Sequence, residues 1–409
     1  MKQQLKALVG RTFNALGYSV VRSETLAGLQ RRSQDASRGN TQANSSPANG
    51  SNSSIIDAEQ ERAKRGRRQA ALWRVIEQET QADYYFAMDV VGSCTLRCPS
   101  CPVGNSPSQL PKGIMSMQMY RDILDKIKRE HPGERVYIDL FNWGESALHK
   151  SLPDMIRLAR ENGIGIGLST NLNSFPNMRE IIRAKPGYIR ISLSGYTNAV
   201  YQQTHAGGDI NLVKSNMYLL RHHMDETGIS VPIQVGFHVY RTNFPDDFAA
   251  VRRLCDELDF YFMPSIATFM PLEKAIHAGD GTLNDADKAL FAKLVVPMEE
   301  RSRMLGEIRP KNFDCEFRVR RTALNYDGSV ALCCATFNNE QLIAKNYLEV
   351  SRDELFDRKQ KHSFCTVCMD KNLDMVFTGT GNDLVEKRAA SVLGKEFADF
   401  LDDRSTPWD

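Results

Sequence analysis

The stretch YYFAMDVVGSCTLRCPSC, residues 84–101, joins an apolar run typical of a buried β-strand to a loop with three cysteines. Cys94, Cys98 and Cys101 are separated by three residues and then by two. Side chains that follow parallel strands gather at the carboxyl edge of the sheet, where α/β proteins place their active sites. The three thiols are therefore predicted to lie in an active-site loop after the first strand.

Strand-like and helix-like segments alternate after this stretch. The apolar runs VYIDLF, IGIGLS, YIRISL, ISVPIQVGFHVY and FYFMPSI are separated by amphipathic segments. Six strands about thirty residues apart, joined by helices, are typical of a parallel sheet with right-handed crossovers. The sequence predicts an α/β fold, a partial (β/α)6 barrel followed by a small cysteine-rich domain made of a β-hairpin plus a helix.

Composition and charge limit the classes of function. The chain has 52 basic and 50 acidic residues and a formal net charge of +2, so no strong field favours nucleic acid as a partner. No apolar run approaches the roughly 18 to 20 residues that span a bilayer, and no signal peptide is recognisable. We therefore expect a cytoplasmic protein whose thiols stay reduced, so that clustered cysteines indicate metal or iron–sulfur ligands.

Changes in composition suggest a domain organisation. Residues 31–54 are rich in Ser, Asn and Gly, as in a disordered linker. Before them, Leu5, Leu8 and Leu16 recur at helical spacing, which predicts a docking helix or, alternatively, a weak contact with a membrane surface or a partner. The predicted units are a leader helix 1–30, a linker 31–56, a lead-in helix 57–82, the barrel 83–308, the cysteine-rich domain 309–375 and C-terminal helices 376–409.

The three-cysteine loop points to a particular kind of metal site. A cubane [4Fe–4S] cluster normally takes four thiolates, so three thiolates leave one iron open for another ligand. The alternative is a zinc knuckle whose fourth ligand comes from elsewhere, but zinc pairs usually have two-residue gaps. The gap of three residues between Cys94 and Cys98 favours the cluster.

Cys94, Cys98 and Cys101 match the CxxxCxxC motif of radical S-adenosylmethionine (SAM) enzymes, and the chain resembles this family from residue 83 into the cysteine-rich domain. The resemblance implies that the open iron binds the amino and carboxylate groups of SAM. It further implies that reductive cleavage of SAM releases a 5′-deoxyadenosyl radical, which makes the three cysteines the catalytic metal ligands.

Three further segments resemble SAM-binding segments of the family. FNWGESALH, after the second strand, is similar to the family's GGEP segment, although Trp143 and Ser146 depart from it. LSTNL and RISLSG resemble the segments that end the third and fourth strands, although small polar residues there are also ordinary turn chemistry. The residues implied to bind the cofactor are Gly144, Glu145, Ser169, Asn171, Ser192 and Ser194.

A second group of cysteines lies further along the chain. Cys315 and Cys333 flank a hairpin pattern in which Asp327 and Gly328 predict a two-residue turn, which would bring Cys333 back toward Cys315. A CxxC pair follows at residues 365–368. Four thiolates can complete a cluster site.

This spacing resembles the twitch domain, a shortened relative of the SPASM domain that binds auxiliary iron–sulfur clusters. The resemblance implies one auxiliary cluster, of the [4Fe–4S] type, on Cys315, Cys333, Cys365 and Cys368, with Cys334 as a spare or alternative ligand. The alternative is a structural zinc site with the same four ligands.

The resemblance implies a radical SAM enzyme that abstracts a hydrogen atom from its substrate and takes electrons from a flavodoxin or ferredoxin. The N-terminal segment LVGRTFNALGYSVVRSE resembles leaders on enzymes of surface-polysaccharide gene clusters, which favours an oxidoreductase acting on a carbohydrate-type alcohol. The alternatives are an enzyme that modifies peptides and a non-catalytic electron-transfer or cluster-carrier protein. The pair Gly144 and Glu145 argues against a carrier, which has no use for a site that binds the cofactor amine.

Overall fold

The computed structural model describes residues 51–106 and 112–405. The predicted leader helix 1–30 and linker residues 31–50 lie outside the described residues. The first described helix begins at Ser51, so the prediction of a linker as far as residue 56 is wrong over residues 51–56. Ile55, Ile56 and Ala58 are compatible with the helix that continues after them, so composition was a poor guide to its start.

The described chain alternates strands and helices. No helix within it is long and apolar enough to cross a membrane. The strands are β1 (Tyr84–Met88), β2 (Val136–Asp139), β3 (Gly165–Thr170), β4 (Tyr188–Ser192), β5 (Ile233–Val239), β6 (Tyr261–Ile266), β7 (Arg321–Leu324), β8 (Val330–Ala331) and β9 (Leu342–Ala344). The α-helices are α1 (Ser51–Thr80), α2 (Pro102–Asn105), α3 (Met117–Glu130), α4 (Leu152–Glu161), α5 (Met178–Ala184), α6 (Asn198–Thr204), α7 (Ile210–Thr227), α8 (Asp246–Leu258), α9 (Leu272–Ala275), α10 (Asp285–Phe291), α11 (Met298–Glu307), α12 (Glu316–Val319), α13 (Arg352–Gln360), α14 (Ser363–Asp370), α15 (Leu373–Thr378), α16 (Asn382–Leu393) and α17 (Lys395–Ser405).

The strands form one open sheet in the order β6-β5-β4-β3-β2-β1-β7-β8-β9. Strands β1 to β6 pair in parallel with their neighbours, and helices connect them. The predicted α/β fold with a parallel sheet is confirmed, and the barrel is partial because the sheet does not close.

The cysteine-rich hairpin continues this sheet. Strand β7 pairs in parallel with β1, in the register Tyr85↔Arg321, and antiparallel with β8. The predicted two-residue turn is wrong, because the Asn325 amide donates to the Ser329 carbonyl at 2.9 Å and three residues remain between them. Gly328 closes this loop at φ +81°, the left-handed conformation that such three-residue loops favour.

The two faces of the sheet differ in character. Because side chains alternate along a strand, Ile138, Leu168 and Ile191 all point to the face covered by helices and belong to the main apolar core. We call the opposite face the inner face. At its amino-terminal end the rings of Tyr137 and Tyr188 stack 6.3 Å apart and pack with Ile76 of α1, which closes that end.

Candidate active site

The loop after β1 is held over the carboxyl edge of the sheet by backbone contacts. The Cys101 amide donates to the Cys98 carbonyl at 3.1 Å, and the Arg97 amide donates to the Ala206 carbonyl at 2.9 Å. The Asn105 side chain then donates to the carbonyls of Pro99 at 3.0 Å and Met270 at 3.1 Å. These contacts fold the three-cysteine segment into a compact turn.

The three thiols form one electrostatic group. Burial raises the pKa of Cys94 to about 11, and burial with the neighbouring Cys94 raises the pKa of Cys98 to about 12. The pKa of Cys101 is also raised, by burial and by Cys98. Thiolates therefore need a positive partner here, and an iron–sulfur cluster supplies one. The Leu96 amide, 3.4 Å from the Cys94 sulfur, adds a donor that favours bound thiolate.

The segment after β2 lies directly against this loop. A Cβ atom on Gly144 would lie 1.7 Å from the Val91 carbonyl oxygen, so only glycine permits this approach. The Glu145 amide donates to the Ser93 carbonyl at 2.9 Å, and the Ser146 hydroxyl donates to the Leu140 carbonyl. Ser146, at which the sequence departs from the GGEP segment that it resembles, thus helps to close the turn.

The Glu145 carboxylate joins the ends of β2 and β3. It is 2% exposed, and its Oε2 accepts from the Asn171 amide at 2.8 Å while Oε1 accepts from the Ala147 amide at 3.2 Å. Burial raises its pKa to about 7. The Asn171 side chain in turn donates to the Cys94 sulfur at 3.4 Å, which brings the β3 end and the cysteine loop together.

The serines predicted to bind the cofactor occupy different positions. Ser169 lies on the inner face, where its hydroxyl accepts from Arg190 Nε at 3.3 Å, and Ser192 pairs in register with Gly236. Ser194 is 1% exposed and its hydroxyl accepts from the His238 amide at 3.0 Å. The structure therefore gives Ser194 a role in joining the ends of β4 and β5 and does not bring its hydroxyl to the cysteine loop.

Asp89 is a site residue that the sequence analysis missed. Its buried Oδ1 accepts from the amides of Asn142, Trp143 and Gly144 at 3.0, 3.0 and 2.9 Å. Burial raises its pKa to about 6. An acidic residue at the end of an otherwise apolar strand was the available signal, because such a carboxylate has to be paired or bonded.

The second group of cysteines surrounds one pocket. Cys315 precedes α12, Cys333 follows β8, and Cys365 and Cys368 lie on one side of α14 because they are three residues apart. All four line this pocket with Leu272 and Phe364, among others. The hairpin and the CxxC pair therefore meet, as their spacing predicts.

Basic groups surround these four thiols. Burial raises the pKa of Cys365, and the charges of Arg318 and Lys359 reduce that rise. Lys359 is buried and donates to the Arg321 carbonyl, while Arg309 forms an ion pair with Asp374 at 2.8 Å beside Cys315 and Cys368. These basic side chains would stabilise a negatively charged metal centre in the pocket.

Cys334 lies apart from the pocket that the other four cysteines line. It packs with the small side chains Ala87, Ala323 and Ala331, and burial raises its pKa, a rise that the charge of Arg321 reduces. The role of Cys334 as a spare or alternative ligand stays a prediction.

The described cysteines, histidines and carboxylates are too far apart for a single-ion site. Within residues 51–106 and 112–405, no group of three or more His, Cys, Asp or Glu side chains is close enough to hold one metal ion. A cubane cluster gives each thiolate its own iron and so requires wider spacing than a single ion does.

The sequence was compared with known proteins and the fold with solved structures. No protein-family model and no curated protein matches the sequence. Native anSMEcpe with bound AdoMet is 16% identical over 68% of this chain and 82% of its own, with a TM-score of 0.46. BtrN in complex with AdoMet and 2-DOIA is 14% identical over 74% and 91%, with a TM-score of 0.39. SuiB of Streptococcus suis bound to the precursor peptide SuiA is 10% identical over 84% and 78%, with a TM-score of 0.47.

The chain is similar to these proteins in fold, and two of them are described with AdoMet bound. Identities of 10 to 16% and TM-scores below 0.5 bear on the fold alone.

Proposed function

We propose that the protein is a radical SAM enzyme that cleaves SAM reductively and abstracts a hydrogen atom from a polar substrate. The observation that supports this most is the meeting of three elements: the three-cysteine loop, the Glu145 carboxylate and the Asn171 side chain. Asn171 contacts both others, through its amide to Glu145 at 2.8 Å and through its side chain to Cys94 at 3.4 Å.

The residues fit a [4Fe–4S] cluster with one open iron. Cys94, Cys98 and Cys101 would hold it, and the bound cluster would supply the electron that cleaves SAM. Glu145 presents a buried carboxylate whose remaining lone pairs can accept from the ammonium group of SAM. The close approach at Gly144 sets the distance between that carboxylate and the loop.

The proposed substrate is a carbohydrate-type alcohol, which would be oxidised. In support, the inner face below the cysteine loop carries polar side chains, among them Ser169, Ser192 and His238, that can bond hydroxyl groups. A peptide substrate is the alternative that the sequence analysis left open.

The catalytic loop is tested by replacing Cys94, Cys98 and Cys101 together by Ala. An anaerobically reconstituted chain with two [4Fe–4S] clusters is expected to hold about eight irons, and the variant about four. Iron analysis and chromatography of 5′-deoxyadenosine measure the outcome, with Cys255→Ala as the matched control for loss of a buried thiol. Formation of 5′-deoxyadenosine by the triple variant would refute the assignment.

The four cysteines of the second pocket are proposed to hold the auxiliary cluster. Removing a hydrogen atom from a carbinol carbon leaves one electron and the hydroxyl proton to be lost before a carbonyl is complete. A nearby electron acceptor is therefore needed, and the proton passes to solvent or to a basic side chain. A group that can take that electron would be held by the four thiolates of Cys315, Cys333, Cys365 and Cys368 and by the basic side chains around them.

Replacing Cys365 and Cys368 by Ala tests this role. We expect loss of about four irons with retention of the barrel cluster. Cleavage of SAM is expected to continue while oxidation of substrate stops. Stoichiometric zinc in the reconstituted wild-type chain would contradict the auxiliary cluster, and normal oxidised product from the variant would contradict the electron-acceptor role.

A further inference from the structure

Arg190 on β4 is a charged residue that the proposed reaction does not use. Its Nε donates to Ser169 Oγ at 3.3 Å, and its guanidinium lies over the Phe141 ring, 5.0 Å from the centroid. Within the part of the chain that the structure describes, no carboxylate lies within ion-pair distance of this guanidinium. Half-buried arginines normally find such a partner, because the charge loses hydration.

The nearest acid on the inner face is already engaged. Asp139 accepts from the Tyr188 hydroxyl at 3.0 Å and forms an ion pair with Arg321 at 3.3 Å. On the described strands, the guanidinium groups of Arg190 and Arg321 thus share the inner face with the carboxylate of Asp139. The excess of positive charge lies at Arg190 on β4, two strands beyond Asp139 on β2 and on the side away from Arg321.

The neighbouring strand β5 sets the surroundings of Arg190. Its side chain lies along Gly236, since a Cβ atom on that glycine would be 3.5 Å from Arg190 Cδ, an ordinary contact distance. His238, two residues further on β5, is exposed although β5 pairs on both sides and the rest of the strand is buried. Although solvent reaches the ring, the protein around it limits its hydration. This desolvation and the charge of Arg190 lower the pKa of His238 to about 4, so the imidazole is neutral at pH 7.

We propose that Arg190, with His238 and Ser192 beside it, binds an anionic group of the substrate, either a carboxylate or a phosphate. The guanidinium offers a paired set of donors that matches both groups, and the neutral imidazole adds a hydrogen bond without adding charge. The inference rests on the proposed function, because it assigns the anion to the molecule from which hydrogen is taken. It makes the substrate an acidic or phosphorylated molecule.

Chemical modification tests the site without requiring turnover. The reconstituted full chain is treated with phenylglyoxal, and mass spectrometry follows Arg190 and, as the control in the same molecule, the exposed Arg183, which pairs with Glu180 at 3.1 Å. Inorganic phosphate or acetate, at about ten times its Kd, is expected to slow modification of Arg190 about tenfold. Glucose and chloride at matched ionic strength are expected to have no effect, and neither anion should protect Arg183.

Each arm of the experiment has a decisive outcome. Protection by phosphate alone or by acetate alone identifies the anion, whereas no protection by either, or no reaction at Arg190 at all, overturns the proposal. Equal protection by SAM alone also overturns it, because the anion would then be the carboxylate of the cofactor. The same protection in the Cys94, Cys98 and Cys101 triple variant separates this inference from the proposed radical chemistry, since that variant makes no radical.

Substitution provides an independent measurement. Arg190→Gln is expected to weaken phosphate or acetate binding at least about tenfold by calorimetry, and Arg190→Lys to weaken it less, because lysine keeps the charge but loses the paired donors. Arg183→Gln is the matched control and should bind as the wild type does. Equal affinity in wild type and Arg190→Gln would exclude the site.

Discussion

Two buried carboxylates shape the candidate site, and both accept hydrogen bonds from backbone amides. Asp89 holds the amides of residues 142–144, and Glu145 holds those of Ala147 and Asn171. The loop geometry thus depends on charges inside the fold and not on the cysteines alone. A motif led to Glu145, whereas Asp89 carries no motif and its partners are more than fifty residues away in the sequence.

Replacing Asp89 by Asn tests this dependence. Asn keeps the size but removes the charge, and we expect the free energy of unfolding to fall by about 1 to 3 kcal/mol. SAM cleavage is expected to fall as well, because the Gly144 segment is held less firmly. Denaturant unfolding and the yield of 5′-deoxyadenosine measure the two effects, with the exposed Asp154→Asn as control.

The same variant gives a test by pH. Because burial raises the pKa of Asp89 to about 6, the folded chain binds this proton more tightly than the unfolded chain does. The stabilisation of the folded chain by protonated Asp89 is complete below the pKa that Asp89 has in the unfolded chain, and it is lost as pH rises. Asp89 therefore makes the free energy of unfolding decrease between about pH 4 and 6. Asp89→Asn should lack that part of the slope. An unchanged slope would mean that Asp89 does not titrate in this range.

At the scale of elements, the pattern of apolar residues along the sequence predicted the strands more accurately than the turns. Strands β2, β4, β5 and β6 fall within the apolar runs, and β3 extends one residue beyond its run to Thr170, because the residues that face the helices are apolar in each of these strands. The hairpin turn was wrong by one residue, since Asp327 and Gly328 suit loops of two or three residues and only the pairing of Asn325 with Ser329 decides between them. The cofactor contact of Ser194 stays a prediction, because a serine after a strand can bond either a ligand or a neighbouring strand, as its bond from the His238 amide shows.

The approach of Gly144 to the cysteine loop is a contact between elements that one substitution can test. Gly144→Ala places a methyl group 1.7 Å from the Val91 carbonyl oxygen, so the loop or the segment after β2 has to move. We expect SAM cleavage to fall by about a hundredfold, since small displacements of binding groups cost that much.

Gly236→Ala is the matched control for this change. Its methyl group would meet Arg190 atoms only at ordinary contact distance, 3.5 Å and beyond. SAM cleavage in this variant should stay near that of the wild type. Similar losses in both variants would show that the effect at Gly144 is a general cost of substituting buried glycines.

At the scale of the whole molecule, the sheet unites units that the sequence presents as separate. Strand β7 lies more than two hundred residues after β1, yet the two pair along Tyr85↔Arg321 to Met88↔Leu324. Spacing and periodicity report neighbours in sequence, so they predicted the barrel and the hairpin but not their union. Contacts between the two parts are specific as well, since the Trp143 indole donates to the Thr336 carbonyl at 3.1 Å.

This union leads to a prediction about a chain that ends at residue 308. Without β7, the backbone groups of β1 on that side lose their partners, and an open edge strand exchanges its amides and tends to aggregate. We expect hydrogen exchange followed by mass spectrometry to show reduced protection in the segment 85–89, at the amides that bond β7, those of Tyr85 and Asp89, by at least about a hundredfold relative to the full chain.

The control for that experiment is the full chain with Cys315, Cys333, Cys365 and Cys368 all replaced by Ala, which keeps β7 and removes the second thiol group. If the sheet itself protects β1, two backbone hydrogen bonds of 2.9 Å persist in this variant: from Asp89 to Leu324 and from Tyr85 to Arg320. The amides of β1 then stay protected. If an auxiliary cluster protects β1 instead, the two chains lose protection together. Protection of the Tyr85 and Asp89 amides in the chain that ends at 308 would refute both explanations, because β1 would then be stable without the cysteine-rich part of the sheet.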